Sequence, residues 1–272
     1  MLFVFLLLVI NGTEGDTDWS NLLSSGLHCN CIDERNELIK MLEQHGAMQQ
    51  LVMFLTGPAG CGKSTCIELA QKYCHKFCQL AGLPFDEKTF YFTSSTGSSA
   101  CLFGGNTIHS AAHLAKTHIT DTLCKDWKHI KILVIDEVSF LSDSDMENLD
   151  KQLRKLTKRN ILYGGISIIF SGDFHQLPPI MTKGVLYAGS DKSAMWENAI
   201  NCPIFLENSH RFKNDPEWGE IMGRMRMGNT TMEDRQEINK HYQKPSERKN
   251  IPPETATACV SNKERNAIEF RA

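Results

Sequence analysis

The sequence predicts an α/β protein built on a parallel sheet with helices on both faces. Three observations predict it. Apolar runs near residues 51–55, 89–93, 131–135, 166–170 and 204–206 alternate with helical or loop segments. The first run, Leu51 to Leu55, leads straight into a glycine-rich loop, and a helical pattern from Lys63 to about Cys78 follows. The third run, Lys131 to Ile135, ends in the carboxylate pair Asp136-Glu137.

The loop comprises Gly57, Pro58, Ala59, Gly60, Cys61, Gly62, Lys63, Ser64 and Thr65, and it fits the phosphate-cradling pattern G-x-x-x-x-G-K-[ST]. Its glycines let backbone N–H groups turn onto phosphate oxygens, and the helix that follows adds a positive dipole end. Lys63 is expected to reach the β- and γ-phosphates, and Ser64 to hold magnesium. A chance Gly-rich turn is the bland alternative. The strand before and the helix after argue against it.

In a parallel sheet, ligands gather at the C-terminal ends of the strands. Asp136 is therefore expected beside the loop, holding magnesium through water. Glu137 is expected to orient and deprotonate an attacking water. These motifs predict a nucleoside triphosphatase. The run Ile166 to Phe170 enters Ser171-Gly172-Asp173-Phe174-His175-Gln176-Leu177-Pro178-Pro179. There Gln176 offers a neutral amide that can sense a γ-phosphate, and the two prolines stiffen the exit.

Gly-Asp-x-x-Gln-Leu-Pro-Pro resembles the third motif of the Pif-type DNA helicases, in the RecD-like branch of superfamily one. Thr93 to Ala100 and Gly104 to Ser110 resemble that family's single-strand-contacting segment. Tyr163-Gly164-Gly165 is similar to its Phe-Gly-Gly, and Leu206 to Phe212 to its fourth motif. Arg226 to Asn229 resembles its Arg-x-Gly, and Thr257 to Asn262 the start of a strand in its second motor domain. The resemblance covers residues 31–272.

The resemblance implies a RecA-like P-loop NTPase domain followed by a second RecA-like domain that is incomplete at Ala272, since the fifth and sixth motifs would lie further on. It implies domains at 31–201 and 202–272, behind an apolar segment and linker at 1–30. It further implies ATP and magnesium as cofactors, Arg211 as a γ-phosphate contact, and Thr96, Gly97, Thr107 and His109 as DNA contacts. The expected partners are single-stranded DNA and duplex junctions, the expected polarity is 5′ to 3′, and the expected roles are DNA repair, recombination and telomere maintenance. A monomer is expected. The Gln that reads the adenine edge in the family has no equivalent near Glu34-Arg35. The rival is a helicase-derived ATP- and DNA-binding module without motor activity. A signalling GTPase is disfavoured because no Asn-Lys-x-Asp segment is present.

Composition agrees. Hydrophobic residues make up 41% of the chain, ample for a core, and the net charge of −3 provides no global basic field. DNA binding needs only a local groove. Lys151, Arg154, Lys155, Lys158 and Arg159 form a basic helical stripe, a pattern that is more often a solvated face. Ten cysteines, one of them in the phosphate loop, do not resemble a secreted disulfide framework. An intracellular setting is expected, the nucleus or mitochondrion in a eukaryote. Cys29-x-Cys31 and Cys74-x₃-Cys78 lack standard zinc spacing. The run Leu2 to Ile10 is too short to span a bilayer, and no membrane association is expected.

Overall fold

The computed structural model describes residues 50–80, 84–102, 104–179, 185–186, 194–207, 209–240, 242 and 263. The N-terminal apolar run, Cys29, Cys31, Glu34, Arg35, Asn208 and the Thr257–Asn262 motif lie outside the described residues. The chain divides into two compact units, Met1–Lys213 and Asn214–Ala272.

The first unit contains six strands: β1 Val52–Thr56, β2 Phe90–Ser94, β3 Asn106–Thr107, β4 Ile132–Asp136, β5 Ser167–Gly172 and β6 Cys202–Phe205. They form one sheet in the order β3-β2-β4-β5-β1-β6. Every pairing is parallel. The expected strands are therefore present, mostly displaced by a residue. Asp136 is the last residue of β4 and pairs with Ser94 of β2. The domain boundary expected after Asn201 needs correction. β6 begins at Cys202 and pairs with β1, so it completes the first sheet. Its residues Cys202 and Ile204 are buried against the core, and cutting there would strip that edge of the sheet.

The period-two alternation of β-strands sends neighbouring side chains to opposite faces. Val52, Phe54, Leu133, Ile135, Ile168 and Phe170 enter one core. Met53, Leu55, Ile132, Val134 and Ile169 enter the other. Helix α1 (Lys63–Leu80) covers the second face with Cys66, Ile67, Ala70 and Cys74. Burial pushes the Cys74 thiol up to about 12, the behaviour of a core residue and not of a metal ligand. Smaller helices follow: α2 Gly97–Leu102, α3 Ile108–Ala111 and α4 Asp121–Trp127.

Helix α5 (Asp143–Thr157) packs Met146, Leu149, Leu153 and Leu156 on the first face. Its start is fixed by a reciprocal cap. Asp145 N donates to Ser142 Oγ at 3.2 Å, and Ser142 N donates to Asp145 Oδ2 at 3.0 Å. Most of the basic stripe on this helix is paired with acids: Arg154 with Asp150 at 2.8 Å, Lys158 with Asp121 at 2.7 Å and Lys151 with Glu147 at 3.5 Å. That is how a solvated face behaves. Helix α6 (Ala194–Ala199) adds Trp196, whose ring meets Phe54 and Phe170 at 5.2 and 5.0 Å.

The second unit contains α7 (Pro216–Arg226) and α8 (Met232–Lys240) among the described residues. Asp215 caps α7, accepting from Trp218 N at 3.1 Å, with Pro216 at the first helical position. Gly228, at φ 73°, makes the left-handed turn that ends α7. No described helix is long and apolar enough to cross a membrane.

Candidate active site

All six strands run the same way, so their C-terminal ends share one edge of the sheet. The loops leaving β1, β2, β4, β5 and β6 therefore converge, and they carry most of the residues singled out from sequence.

Gly60 and Gly62 take φ of 76° and 90°, values that side chains avoid. Crowding reinforces the choice of glycine at position 60, where a Cβ would lie 2.5 Å from Arg211 Cβ. The segment leaving β6 is pressed onto the loop. Ser209 Oγ donates to the Ala59 carbonyl at 2.7 Å, and His210 N donates to the Gly60 carbonyl at 2.9 Å. These contacts bring Arg211 to the apex of the phosphate loop. Lys63 Nζ donates to the carbonyls of Gly57 and Pro58 at 2.8 and 3.1 Å. The ammonium is thus held inside the loop, where a phosphate would compete with those carbonyls for it.

At the end of β4, Asp136 is buried. Its carboxylate Oδ2 accepts from Ser99 Oγ at 3.0 Å, and among the described residues no hydrogen bond reaches Oδ1. Ser64 is partly buried at the start of α1. No group of three or more His, Cys, Asp or Glu side chains suited to a metal occurs among the described residues. A hydroxyl and one carboxylate suit magnesium, which keeps several waters and takes phosphate oxygens to complete its shell. Ser64 and Asp136 are the residues that would hold it.

Glu137 occupies the left-handed region at φ 55°, ψ 45°, just before a 3-10 turn at Val138–Phe140. A glutamate there is strained, a feature that clusters at functional sites. Its carboxyl is pushed up, first by burial and then by Asp136, with Lys63 opposing and Asp173 adding to the rise. A raised carboxyl is better matched to proton transfer near neutrality. Gly172 lets the turn pack, since a Cβ there would lie 2.9 Å from Val138 Cγ1. Beyond it the Gln loop folds back on buried Asp173. Gln176 N donates to the Asp173 carbonyl at 2.9 Å, and Gln176 Nε2 lies 3.4 Å from Asp173 Oδ2. The Gln176 side chain is exposed.

Thr96, Gly97 and Thr107 gather at the end of β2, where Thr107 is in register with Ser94. Both threonine hydroxyls also cap helices: Thr96 accepts from Ser99 N and Thr107 from Ser110 N, each at 3.3 Å. His109 stands beside Asp145 at 3.6 Å and is half exposed. Two participants carried no role in the sequence reading. Asp173 sat inside the Gly-Asp-x-x-Gln motif, a signal that was available. Ser99 sat inside the Thr93 to Ala100 segment, but only folding brings it to Asp136.

Known proteins resemble this chain in sequence and in fold. A family model described as PIF1-like helicase matches residues 32–235. The ATP-dependent DNA helicase PIF1 of Saccharomyces cerevisiae is 31% identical over 224 residues, which cover 77% of this chain and 25% of that protein. The chain thus spans about a quarter of this curated relative's length. The crystal structure of Pif1 helicase from Candida albicans superposes with a TM-score of 0.63 at 26% identity, over 87% of this chain and 53% of the other. Bacteroides Pif1, in complex with ADP-AlF3 and ssDNA, shares the fold with a TM-score of 0.61 at 17% identity, over 88% and 56% of the two chains. On the match over residues 32–235, with a RecA-like sheet beneath it, the chain belongs to the PIF1-like helicase family.

Proposed function

We propose that this chain is the ATP-hydrolysing motor portion of a DNA helicase that moves along single-stranded DNA and opens duplex junctions. The observation that carries the reading is the shared sheet edge. The loops that carry Lys63, Asp136, Glu137 and Gln176 all leave that edge, Arg211 packs on Gly60 of the phosphate loop, and Ser95 and Ser99, which flank Thr96 and Gly97, hydrogen-bond to Asp136. The matched relative is named an ATP-dependent DNA helicase, and the Bacteroides protein was crystallised with ssDNA.

In this reading the amides of Gly57 to Thr65 and Lys63 bind the ATP phosphates. Ser64 and Asp136 would hold magnesium, which would supply positive charge to the phosphates. Glu137 positions a water for attack on the γ-phosphorus and accepts its proton as ADP leaves. Arg211 offsets charge on the transferring phosphoryl, and an arginine in that role is worth ~10³–10⁵ in rate. Gln176 reports the γ-phosphate to the loop it shares with Asp173. Thr96, Gly97, Thr107 and His109 touch the strand. Movement is 5′ to 3′ and the chain acts as a monomer. The cellular setting is intracellular, nuclear or mitochondrial in a eukaryote, and the roles are repair, recombination and telomere maintenance.

The test is phosphate release with and without a thymidine oligonucleotide, alongside strand displacement on forks carrying a 5′ or a 3′ tail. Lys63→Ala is expected to abolish turnover and weaken nucleotide binding. A well-folded Lys63→Ala chain that hydrolyses ATP at the parental rate would overturn the assignment. Binding and hydrolysis without displacement on either fork would favour the non-motor module.

A further inference from the structure

We propose that Ser99 is a positioning residue that transmits occupancy of the DNA strand to the magnesium-side carboxylate. This inference rests on the nucleotide-and-strand reading given above. Its basis is the way residues 94–99 are fastened to Asp136. Ser95 N donates to the Asp136 carbonyl at 2.9 Å, and the hydroxyls of Ser94 and Ser95 reach the same oxygen at 3.2 Å. Ser99 Oγ then donates to the Asp136 carboxylate at 3.0 Å. The backbone carbonyl of Asp136 is held by three bonds, from Ser94 at the end of β2 and Ser95 just after it, while its carboxylate is held by one bond from helix α2.

That division matters mechanically. Strands β2 and β4 are fixed by sheet pairing, Thr93 to Ile135 and Ser94 to Asp136. Helix α2 is short, and its start is capped by Thr96, one of the strand-contact candidates. Gly97, the first residue of α2, has open space where a Cβ would stand. A strand that engages Thr96 and Gly97 would therefore act on the helix that carries Ser99. The Asp136 main chain would stay in the sheet while its carboxylate follows the serine. Glu137 comes next in a strained conformation, so a small change at Asp136 alters where its carboxyl points. The Gln176 loop reaches the site by another route, through Asp173, the residue that follows β5.

The experiment measures binding, not turnover. The full chain is titrated with a fluorescent, non-hydrolysable ATP analogue in magnesium chloride, with and without a saturating thymidine oligonucleotide. The ratio of the two dissociation constants is the coupling factor, which is reciprocal between the two ligands. The native chain is expected to show a ratio of about fivefold or more, within the usual range for coupled sites. Ser99→Ala is expected to bring it close to one. Ser99→Thr, which keeps the hydroxyl, is expected to restore most of it. Ser99→Cys keeps the volume while weakening the hydrogen bond, and is expected to behave as Ser99→Ala.

A general loss of packing would lower the melting temperature without this split between hydroxyl and non-hydroxyl variants. An unchanged ratio in Ser99→Ala overturns the proposal, as does a ratio in Ser99→Thr as low as in Ser99→Ala. A native chain that binds both ligands with a ratio of one also overturns it and leaves the functional reading intact. A native chain that binds no nucleotide removes the functional reading itself, and this inference with it.

Discussion

The two compact units of this chain are held by different forces. In the first, parallel strands bury both faces, and residues such as Leu133, Ile135, Ile168 and Phe170 are fully enclosed. Each such side chain contributes roughly 1.5–3 kcal/mol through burial. In the second unit, Ile221 is the only buried hydrophobic residue among those described. Its two helices are tied by charge. Asp234 accepts from Arg224 Nε at 2.8 Å and from the Nη2 atom at 2.7 Å, and it also accepts from Thr231 N at 3.0 Å. The lesson concerns what each can carry. A dense hydrophobic frame tolerates strained and mutually repelling groups on its rim, such as Glu137 beside Asp136. The described helices of the second unit, with one buried hydrophobic residue and one bidentate ion pair between them, have less such reserve.

The largest expected effect is on the repelling pair. Glu137→Gln should lower hydrolysis by about 10²–10⁴-fold while nucleotide affinity is kept, since the amide cannot accept a proton. The same change should stabilise the chain at neutral pH. The sign follows from linkage. The folded carboxyl binds its proton more tightly than the unfolded one, so stability is present in acid and is lost as pH rises through the raised value. Melting temperatures of the two chains should therefore differ at neutral pH and converge in acid. Affinity and turnover falling together would instead make Glu137 a structural group or a metal ligand.

Core truncations test the comparison directly. Leu133→Ala should cost about 2–5 kcal/mol and lower the stability of the sheet as a whole, measured by denaturant unfolding. Ile221→Ala should speed hydrogen exchange within residues 216–240 while nucleotide affinity stays at its native value. If the amides of β1 and β4 were deprotected as strongly as those of α7, the two units would be a single cooperative body.

The smallest expected effect is the acid response of the second unit. Arg224 hydrogen-bonded to Asp234, with the Thr231 amide, lowers that carboxyl to about 2. Its contribution is thus fully present above the ordinary carboxylate value of 3.8, and is lost as pH falls from there through about 2. Helix signal from residues 216–240 should decline across that window. Asp234→Asn should remove the pH dependence by weakening the pair at every pH. An acid response that persisted in Asp234→Asn would point to other carboxylates.

Much of this was legible in the sequence because it is local. The loop glycines, Lys63 and Ser64 are contiguous, and the strand before and helix after them are set by periodicity over a few residues. Asp136 and Glu137 could be placed because parallel strands end at a common edge, so ending an apolar run was enough to locate them. Gln176 was legible for the same reason.

What folding alone decided depends on contacts distant in sequence. The edge strand β6 joins β1, a pairing between residues about 150 positions apart, and periodicity could not assign Cys202 to one unit or the other. The Ser209 and His210 bonds that seat Arg211 on the phosphate loop arise from that same pairing. The strain at Glu137 needs the β5 glycine to accept the turn behind it. Ser99 meets Asp136 only because β2 lies beside β4. Sequence periodicity reports which face of an element is apolar, and motif spacing reports which groups lie on one loop. Neither carries information on which strand lies next to which, and it is strand order that decides which side chains of different loops come within hydrogen-bonding distance.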